Sequence, residues 1–483
     1  MPSPRGLAAN IISGMLSNVF RMIVHVMLLP IFARLLGPAE VGLFTLAYPA
    51  LTFVLLLTEA GLGDSLAREK AEDRRVWSSA FWGLMVAATV LAACLYAASF
   101  VIGHIAHQPR LPDIMLLLCA TIFMAAATVI PSARMLRSGN LLPGAICDLL
   151  AFIIGSVIGV YLAFAGYGVW AMVWQMLSGM FARAIFLNWV QPFFPLFEFD
   201  LKLLAAHMGV GGAILGTRII ELAGRMVENS QVSRALGASA LGGYGYANAI
   251  GRFFSDAASA PIWLNLYYVA INSPGEQVAR HYVSSHRLLA LMVFPSAALL
   301  ALALPTLVPV VFGPEWNQAT YPIMIMVLSS PFVALGTYHG AVMFARGHLR
   351  IMIYGTIALA LARVFSVAVT MPFGLVGLAL GLSVVNIMYY LFALLIVSPL
   401  IGTRRREVVT AILGPVAGAI AVGICFHFLM GSDPNLAWLT ISGVLSFLAY
   451  PVLLFFLDRK KMLTDIQSAM AILKNRGETA ALS

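Results

Sequence analysis

The stretch Arg34-Leu35-Leu36-Gly37-Pro38-Ala39-Glu40-Val41-Gly42-Leu43-Phe44 returns 200 residues later as Arg234-Ala235-Leu236-Gly237-Ala238-Ser239-Ala240-Leu241-Gly242-Gly243-Tyr244. Continued to Phe53 and Phe253, the two copies share Arg, Leu, Gly, Gly, Ala and Phe at one constant offset. A second pair follows, with Met135-Leu136-Arg137-Ser138-Gly139-Asn140-Leu141 resembling Met343-Phe344-Ala345-Arg346-Gly347-His348-Leu349 at an offset of 208. In a membrane protein, a duplication of this length is the usual mark of a two-lobed transporter.

The chain is a membrane protein by composition. Of its 483 residues, 61% are hydrophobic and only 10% charged, and the mean hydropathy is +0.92. Soluble domains carry roughly 25% charged residues. Apolar runs of about 20 residues, the length that crosses a bilayer as a helix, recur throughout. The expected fold is all-α and polytopic, with about 14 spans: two pseudo-symmetric lobes of six helices plus two C-terminal helices. The expected division is an N-lobe over 1–190, a cytoplasmic linker over 191–205, a C-lobe over 206–397, two further spans over 398–457 and a cytoplasmic tail over 458–483. Because the repeat contains an even number of spans, both copies enter from the same side, so the expected axis lies along the membrane normal. The first span is too long for a cleaved signal peptide and is expected to be retained. Cys94, Cys119, Cys147 and Cys425 fall in or beside apolar spans at unrelated spacings, so neither a disulfide framework nor a metal site is expected.

The net charge of +9 first suggests nucleic acid, but its distribution points to topology instead. With a cytoplasmic N-terminus, the inner segments hold Arg5, Arg68, Lys70, Arg74, Arg75, Arg134, Arg137, Lys202, Arg280, Arg287, Arg346, Arg350, the run Arg404-Arg405-Arg406, and Arg459, Lys460, Lys461, Lys474 and Arg476. The outer loops hold Arg110, with Arg34 and Arg234 at span ends. That asymmetry orients the chain by the positive-inside rule, with both termini cytoplasmic. No nucleic-acid partner is implied.

Several charges stand where lipid is expected. In span 7, Arg218, Glu221, Arg225 and Glu228 follow at steps of three, four and three, so they share one helical face. Each charge near mid-bilayer costs roughly 2.5–3.5 kcal/mol. Four together would exceed about 10 kcal/mol, so that face must meet water or partners. The equivalent face of span 1 carries Asn18, Arg21 and His25, with Arg21 matching Glu221 and His25 matching Arg225 in the repeat. Span 8 adds Asn248, Arg252 and Asp256, and span 2 adds Glu59.

The economical reading is a hydrated central cavity with a cationic surplus. Arg21, Arg218, Arg225 and Arg252 are the candidate ligand-binding residues. His25, Glu221, Glu228, Asp256, Asn18, Asn248 and Glu59 are its polar lining and candidates for ion coupling. Spacing alone leaves another outcome open, in which Arg218–Glu221, Arg225–Glu228 and Arg252–Asp256 neutralise one another along the helix. His25 is as compatible with a packed histidine as with a proton carrier. A cationic cavity asks for an anion, and guanidinium forks fit phosphate and carboxylate alike. Arg183 and Arg363 stand isolated; Arg183 is expected to snorkel to the inner surface, and Arg363 to line the cavity or to pair within its lobe. Gly37 and Gly237 are expected to form left-handed helix caps.

The run LLPIFARLLGPAEVGLFTLAYP, the phrase GLGDSLARE after it, PVVFGPEWNQATYPIMIMVLSSP from 309 and PFGLVGLALGLSVV from 372 together resemble the bacterial polysaccharide flippases of the multidrug/oligosaccharidyl-lipid/polysaccharide exporter superfamily. The likeness extends over both lobes. It implies an inner-membrane protein that moves undecaprenyl-diphosphate-linked oligosaccharide repeat units from the cytoplasmic to the periplasmic leaflet, for exopolysaccharide, O-antigen or capsule synthesis. It also implies two six-helix lobes in a V-shape that rock for alternating access, coupling to H+ or Na+, and a polysaccharide polymerase and chain-length regulator as candidate partners. No cofactor, metal or covalent chemistry is implied.

Rival readings are a lipid II flippase or a multidrug antiporter of the same superfamily. The surplus of Arg disfavours a drug-cation exporter. A membrane-embedded glycan polymerase or ligase would need catalytic clusters on long outer loops. Here the outer segments carry little beyond Glu40, Asp113, Glu315 and Asp433, at no catalytic spacing. Glu315-Trp316 is either a sugar contact at the outer mouth or a packed turn.

Overall fold

A computed structural model describes residues 4–59, 62–67, 73–200, 212–431 and 435–456. Its helices are α1 (Pro4–Glu59), α2 (Leu62–Ala67), α3 (Arg74–Ile105), α4 (Leu111–Ser138), α5 (Leu142–Phe164), α6 (Val169–Val190) and α7 (Gly212–Asn272). After these come α8 (Gly275–Leu307), α9 (Thr320–Ala345), α10 (Leu349–Thr370), α11 (Gly374–Leu400), α12 (Arg405–Met430) and α13 (Leu436–Phe456). The described residues contain no strand. Ten stretches among them are long and apolar enough to cross a membrane. The protein is an all-α, multi-pass membrane protein. The tail 458–483 lies outside the described residues.

Both repeat stretches sit at a break inside a long helix. α1 turns at Gly37 (φ 76°, ψ 169°) and α7 at Gly237 (φ 85°, ψ 174°). The positive φ expected of these glycines is present, but ψ places them in an extended region open essentially to Gly alone, not in the left-handed helical one. The chain therefore leaves one helix and enters the next without a loop. At the first break Pro38 takes up the new helix, where its missing N–H costs nothing. The second repeat pair also folds alike: Gly139 and Gly347 both have positive φ and donate to Leu136 O and Phe344 O.

By contacts the chain divides into two compact units, Met1–Gly242 and Gly243–Ser483. In the first, α5 packs along α6, and α4 along both α3 and α6. The α5–α6 crossing is close because Gly155 faces the backbone of Gln175 and Gly179, the small-residue packing that membrane helices favour. In the second, α8 packs against α9 and α12, and α9 against α11. Leu266, Val278, Leu289, Val293, Leu335 and Leu394 form part of its core.

Residues 191–200 are irregular but tightly held to the first unit. Ser78 Oγ and Ser79 Oγ accept hydrogen bonds from Leu196 N and Asp200 N. Trp82 Nε1 donates to Leu196 O at 2.8 Å, Arg74 to Phe194 O and Arg134 to Pro192 O. Arg75 pairs with Glu198, and Arg134 also lies over the Phe193 ring. This part of the expected linker is thus a strap whose backbone polar groups are satisfied by α3 and α4.

Candidate functional site

Helix α7 is continuous through residues 212–236, so the steps of three, four and three do place Arg218, Glu221, Arg225 and Glu228 on one face. The pairing differs from the simplest neutralisation, because one carboxylate serves two guanidiniums. Arg225 donates to one oxygen of Glu221 and Arg218 to the other, the latter at 3.2 Å. This face is not dry: the Arg218 side chain is 65% exposed, and Arg225 and Glu221 are each about one-third exposed. Glu228 is buried. The accessible part of the face carries Arg218 and Arg225 on the one carboxylate of Glu221. Ion pairs that reach solvent are individually weak, commonly under about 1 kcal/mol.

The next turns anchor the helix. Asn229 and Ser233 are buried; Asn229 donates to Thr45 O at 2.8 Å and Ser233 to Ala106 O at 2.9 Å. These bonds fix the rotation of α7 within the first unit and thereby the direction of its charged face. Arg21 is half-buried and His25 exposed on α1. Asn18, Glu59 and Asp256 lie outside the residues whose side chains the structure describes.

In the second unit, Asn248 donates to Tyr244 O, one turn back on its own helix, and Arg252 is half-buried one turn further on. The isolated Arg363 proves to have partners there: it donates to Asn386 Oδ1 at 3.1 Å and to the Tyr244 hydroxyl at 3.2 Å. Tyr244, Asn248 and Arg252 share a face at steps of four, so Arg363 joins the polar stripe of the second half of α7. Pairing within its own lobe was one of the two outcomes expected for Arg363, but its partners were not named. The available signal was one Arg in α10 and one Asn in α11, each alone in an apolar span and each needing a partner.

Arg183 does not snorkel. It donates to Asp148 at 2.7 Å and to Thr128 at 3.1 Å, an intramembrane ion pair between α6 and α5 whose acidic member sequence reading overlooked. Trp316 is buried against Tyr246, with ring centroids 4.5 Å apart, while Glu315 is exposed. Of the two readings of Glu315-Trp316, the packed turn holds for the indole. Among the described residues no cluster of three or more His, Cys, Asp or Glu could hold a metal ion.

The polysaccharide biosynthesis protein family model matches residues 31–321, from the first repeat break to the start of α9. The chain belongs to the polysaccharide biosynthesis protein family. Within it, the chain is 24% identical over 327 residues to the succinoglycan biosynthesis transport protein ExoT of Rhizobium meliloti, a match covering 65% of this chain and 66% of that one. It is 20% identical to the lipopolysaccharide biosynthesis protein WzxC of Escherichia coli, over 80% of each chain. It is 22% identical to the teichuronic acid biosynthesis protein TuaB of Bacillus subtilis, over 83% of this chain and 86% of that one. Among solved structures, the fold resembles the lipid II flippase MurJ in an inward closed conformation, with TM-score 0.72, 12% identity and coverage of 92% of this chain and 99% of that one. It also resembles an inward-facing multidrug transporter of the MATE family, with TM-score 0.65, 15% identity and coverage of 77% and 93%. Membership in this family makes the chain a membrane transporter of polysaccharide biosynthesis, not an enzyme.

Proposed function

We propose that this protein is a flippase for undecaprenyl-diphosphate-linked oligosaccharide, carrying repeat units from the cytoplasmic to the periplasmic leaflet of a bacterial inner membrane, with both termini cytoplasmic. The observation that carries this reading is the guanidinium surplus on the first half of α7, where Arg218 and Arg225 share Glu221 and remain open to solvent. A diphosphate offers four or more acceptor oxygens in forked geometry, which suits two guanidiniums better than a single carboxylate does. On this reading Arg21 and Arg252 join the grip from the other polar faces. Glu221 holds the forks while the site is empty, and the sugars lie in water beside them, the two lobes being 1–190 and 206–397. Glu228, Asp256, Glu59, His25, Asn18 and Asn248 line the same space. Translocation then needs no bond cleavage, only two conformers of different affinity. A polymerase and a chain-length regulator would receive the product, and H+ or Na+ would drive the cycle.

The relatives' names support a polysaccharide intermediate as cargo, since all three belong to polysaccharide or polyanion synthesis. A second reading, transport of the lipid II class of diphosphate lipid, is favoured by the fold likeness to a lipid II flippase. One experiment separates them. In a deletion strain, accumulation of an undecaprenyl-diphosphate oligosaccharide with intact cell-wall synthesis supports the first, and accumulation of lipid II supports the second. A normal pool of both lipids would remove the proposal.

A further inference from the structure

The second unit contains a cluster of aromatic hydroxyls and imidazoles that the transport reading does not use. Tyr282 and His286 on α8, Tyr338 and His339 on α9 and Tyr390 on α11 are all buried. Their rings form one contiguous group: His286 lies 4.2 Å from Tyr282, 5.4 Å from Tyr338 and 5.7 Å from His339 between centroids, and His339 stacks on Tyr390 at 5.3 Å. Two hydrogen bonds organise it. His286 Nδ1 lies 2.9 Å from Tyr282 O, and His339 Nδ1 lies 2.7 Å from the Tyr282 hydroxyl.

A carbonyl oxygen only accepts, so His286 Nδ1 carries the hydrogen and His286 Nε2 is a bare lone pair. That lone pair is buried without a hydrogen-bond donor. His339 Nε2 and the hydroxyls of Tyr338 and Tyr390 are likewise buried without partners. Buried polar atoms are satisfied in the great majority of cases, and each exception calls for a reason. Four in one cluster, at the junction of three helices, call for a common one.

We propose that Tyr282, His286, Tyr338, His339 and Tyr390 form a proton-binding site of the second unit, filled when α8, α9 and α11 part. The proton adds to the lone pair of His286 Nε2, and no other bond changes. The surroundings explain why the closed cluster rejects it. On α8 the neighbouring Arg287 is itself buried and donates to Ala411 O of α12. An imidazolium in this aromatic group would have no counter-charge among these side chains. The carboxylates nearest in sequence on the enclosing helices, Glu276 of α8 and Glu407 of α12, are exposed. α7 contributes Leu266, Ala270 and Tyr267, the last stacked on Phe344 of α9. None of these neutralises a charge on His286. Proton affinity is therefore low when the cluster is closed and rises when water enters. By linkage, acid favours the opened conformer, and a difference in affinity is the condition for such a shift. The site stands whatever lipid the protein carries.

The test uses the full-length protein in lipid nanodiscs with 15N-labelled histidine, between about pH 8 and about pH 5. His286→Gln and His339→Gln assign the signals. At alkaline pH the His286 resonance should show a neutral Nδ1–H imidazole; on acidification it should convert to imidazolium. Hydrogen exchange, corrected for intrinsic rates, should accelerate at least about tenfold in peptides from 278–290 and 334–345, while peptides from α5 and α6 keep their protection. His286→Gln should remove the acid response of those peptides; if that variant does not fold, the wild-type resonance decides alone. An imidazole that stays neutral while the protein remains folded, or one that titrates without loosening these helices, would overturn the proposal.

Discussion

Gly42 and Gly242, 200 residues apart in sequence, face each other across a crossing with reciprocal contacts. A Cβ on Gly42 would stand 1.9 Å from Ala238 O, and a Cβ on Gly242 would stand 2.0 Å from Pro38 O. Since 38 and 238 are themselves equivalent under the repeat, residue 42 meets 238 just as 242 meets 38. That reciprocity is what a two-fold relation between duplicated segments produces. The first turns after the two glycine breaks thus meet backbone to backbone within the first unit.

The close approach predicts an asymmetry among the glycines of α1 and α7. Gly42→Ala and Gly242→Ala should each destabilise the protein by about 1–3 kcal/mol through backbone displacement. Gly216→Ala, where nothing lies within 4 Å, should be neutral or stabilising by up to about 1 kcal/mol. Thermal unfolding in detergent would show the contrast, and equal Tm for all three variants would argue against a tight crossing.

Glu40 ties three elements of the first unit together. Its carboxylate accepts from Arg110, in the loop before α4, and from Val169 N at 2.7 Å, at the start of α6. The hydrogen bond from Arg110 to Glu40 raises the guanidinium above its ordinary value, so Arg110 stays charged at any pH the protein meets. Glu40→Gln keeps the shape but removes the charge from a helix N-terminus, at an expected cost of about 0.3–1 kcal/mol. Glu40→Ala also strands Val169 N and should cost more. Proteolysis within residues 105–111, followed over time, should rise in that order.

Arg183 and Asp148 should be strongly coupled. Removing either alone leaves a half-buried charge unpaired, with an expected loss of about 1–3 kcal/mol. The double variant Arg183→Leu/Asp148→Leu should recover much of it. A double-mutant cycle on unfolding would report this, and simple additivity would show that each side chain is hydrated independently.

How much of this was legible before any coordinates follows a physical line. Span character, the duplication and the stacking of Arg218, Glu221, Arg225 and Glu228 depend on composition and a helical period, both local properties. The sharing of one carboxylate by two guanidiniums depends on rotamers, so spacing alone left Arg225 equally able to pair with Glu228. Arg183 was misjudged because Asp148 lies 35 residues away on another helix, and no periodicity links them. The partners of Arg363 could not be named for the same reason, since they belong to two other helices, and pairing within its lobe stayed one of two outcomes. The cluster around His286 was invisible because Tyr and His in apolar spans read as ordinary core until α8, α9 and α11 are packed together.

Glu221 offers a prediction opposite in sign to that of its partners. Glu221→Gln frees both guanidiniums and should tighten binding of inorganic pyrophosphate, by up to about tenfold for one removed like-sign competitor. Arg218→Ala should weaken it by a similar factor. Calorimetric titration would compare them, and an identical response from both variants would mean the anion binds elsewhere.

The most direct trial of the account is translocation itself. Proteoliposomes carrying undecaprenyl-diphosphate oligosaccharide would be assayed for its appearance in the opposite leaflet, with wild type beside Arg218→Ala/Arg225→Ala. Losing two charge-assisted contacts of about 1.5–3 kcal/mol each should cut the rate at least about a hundredfold while the protein remains folded and inserted. A double variant that moves this lipid at nearly the wild-type rate would contradict the claim that α7 grips the diphosphate.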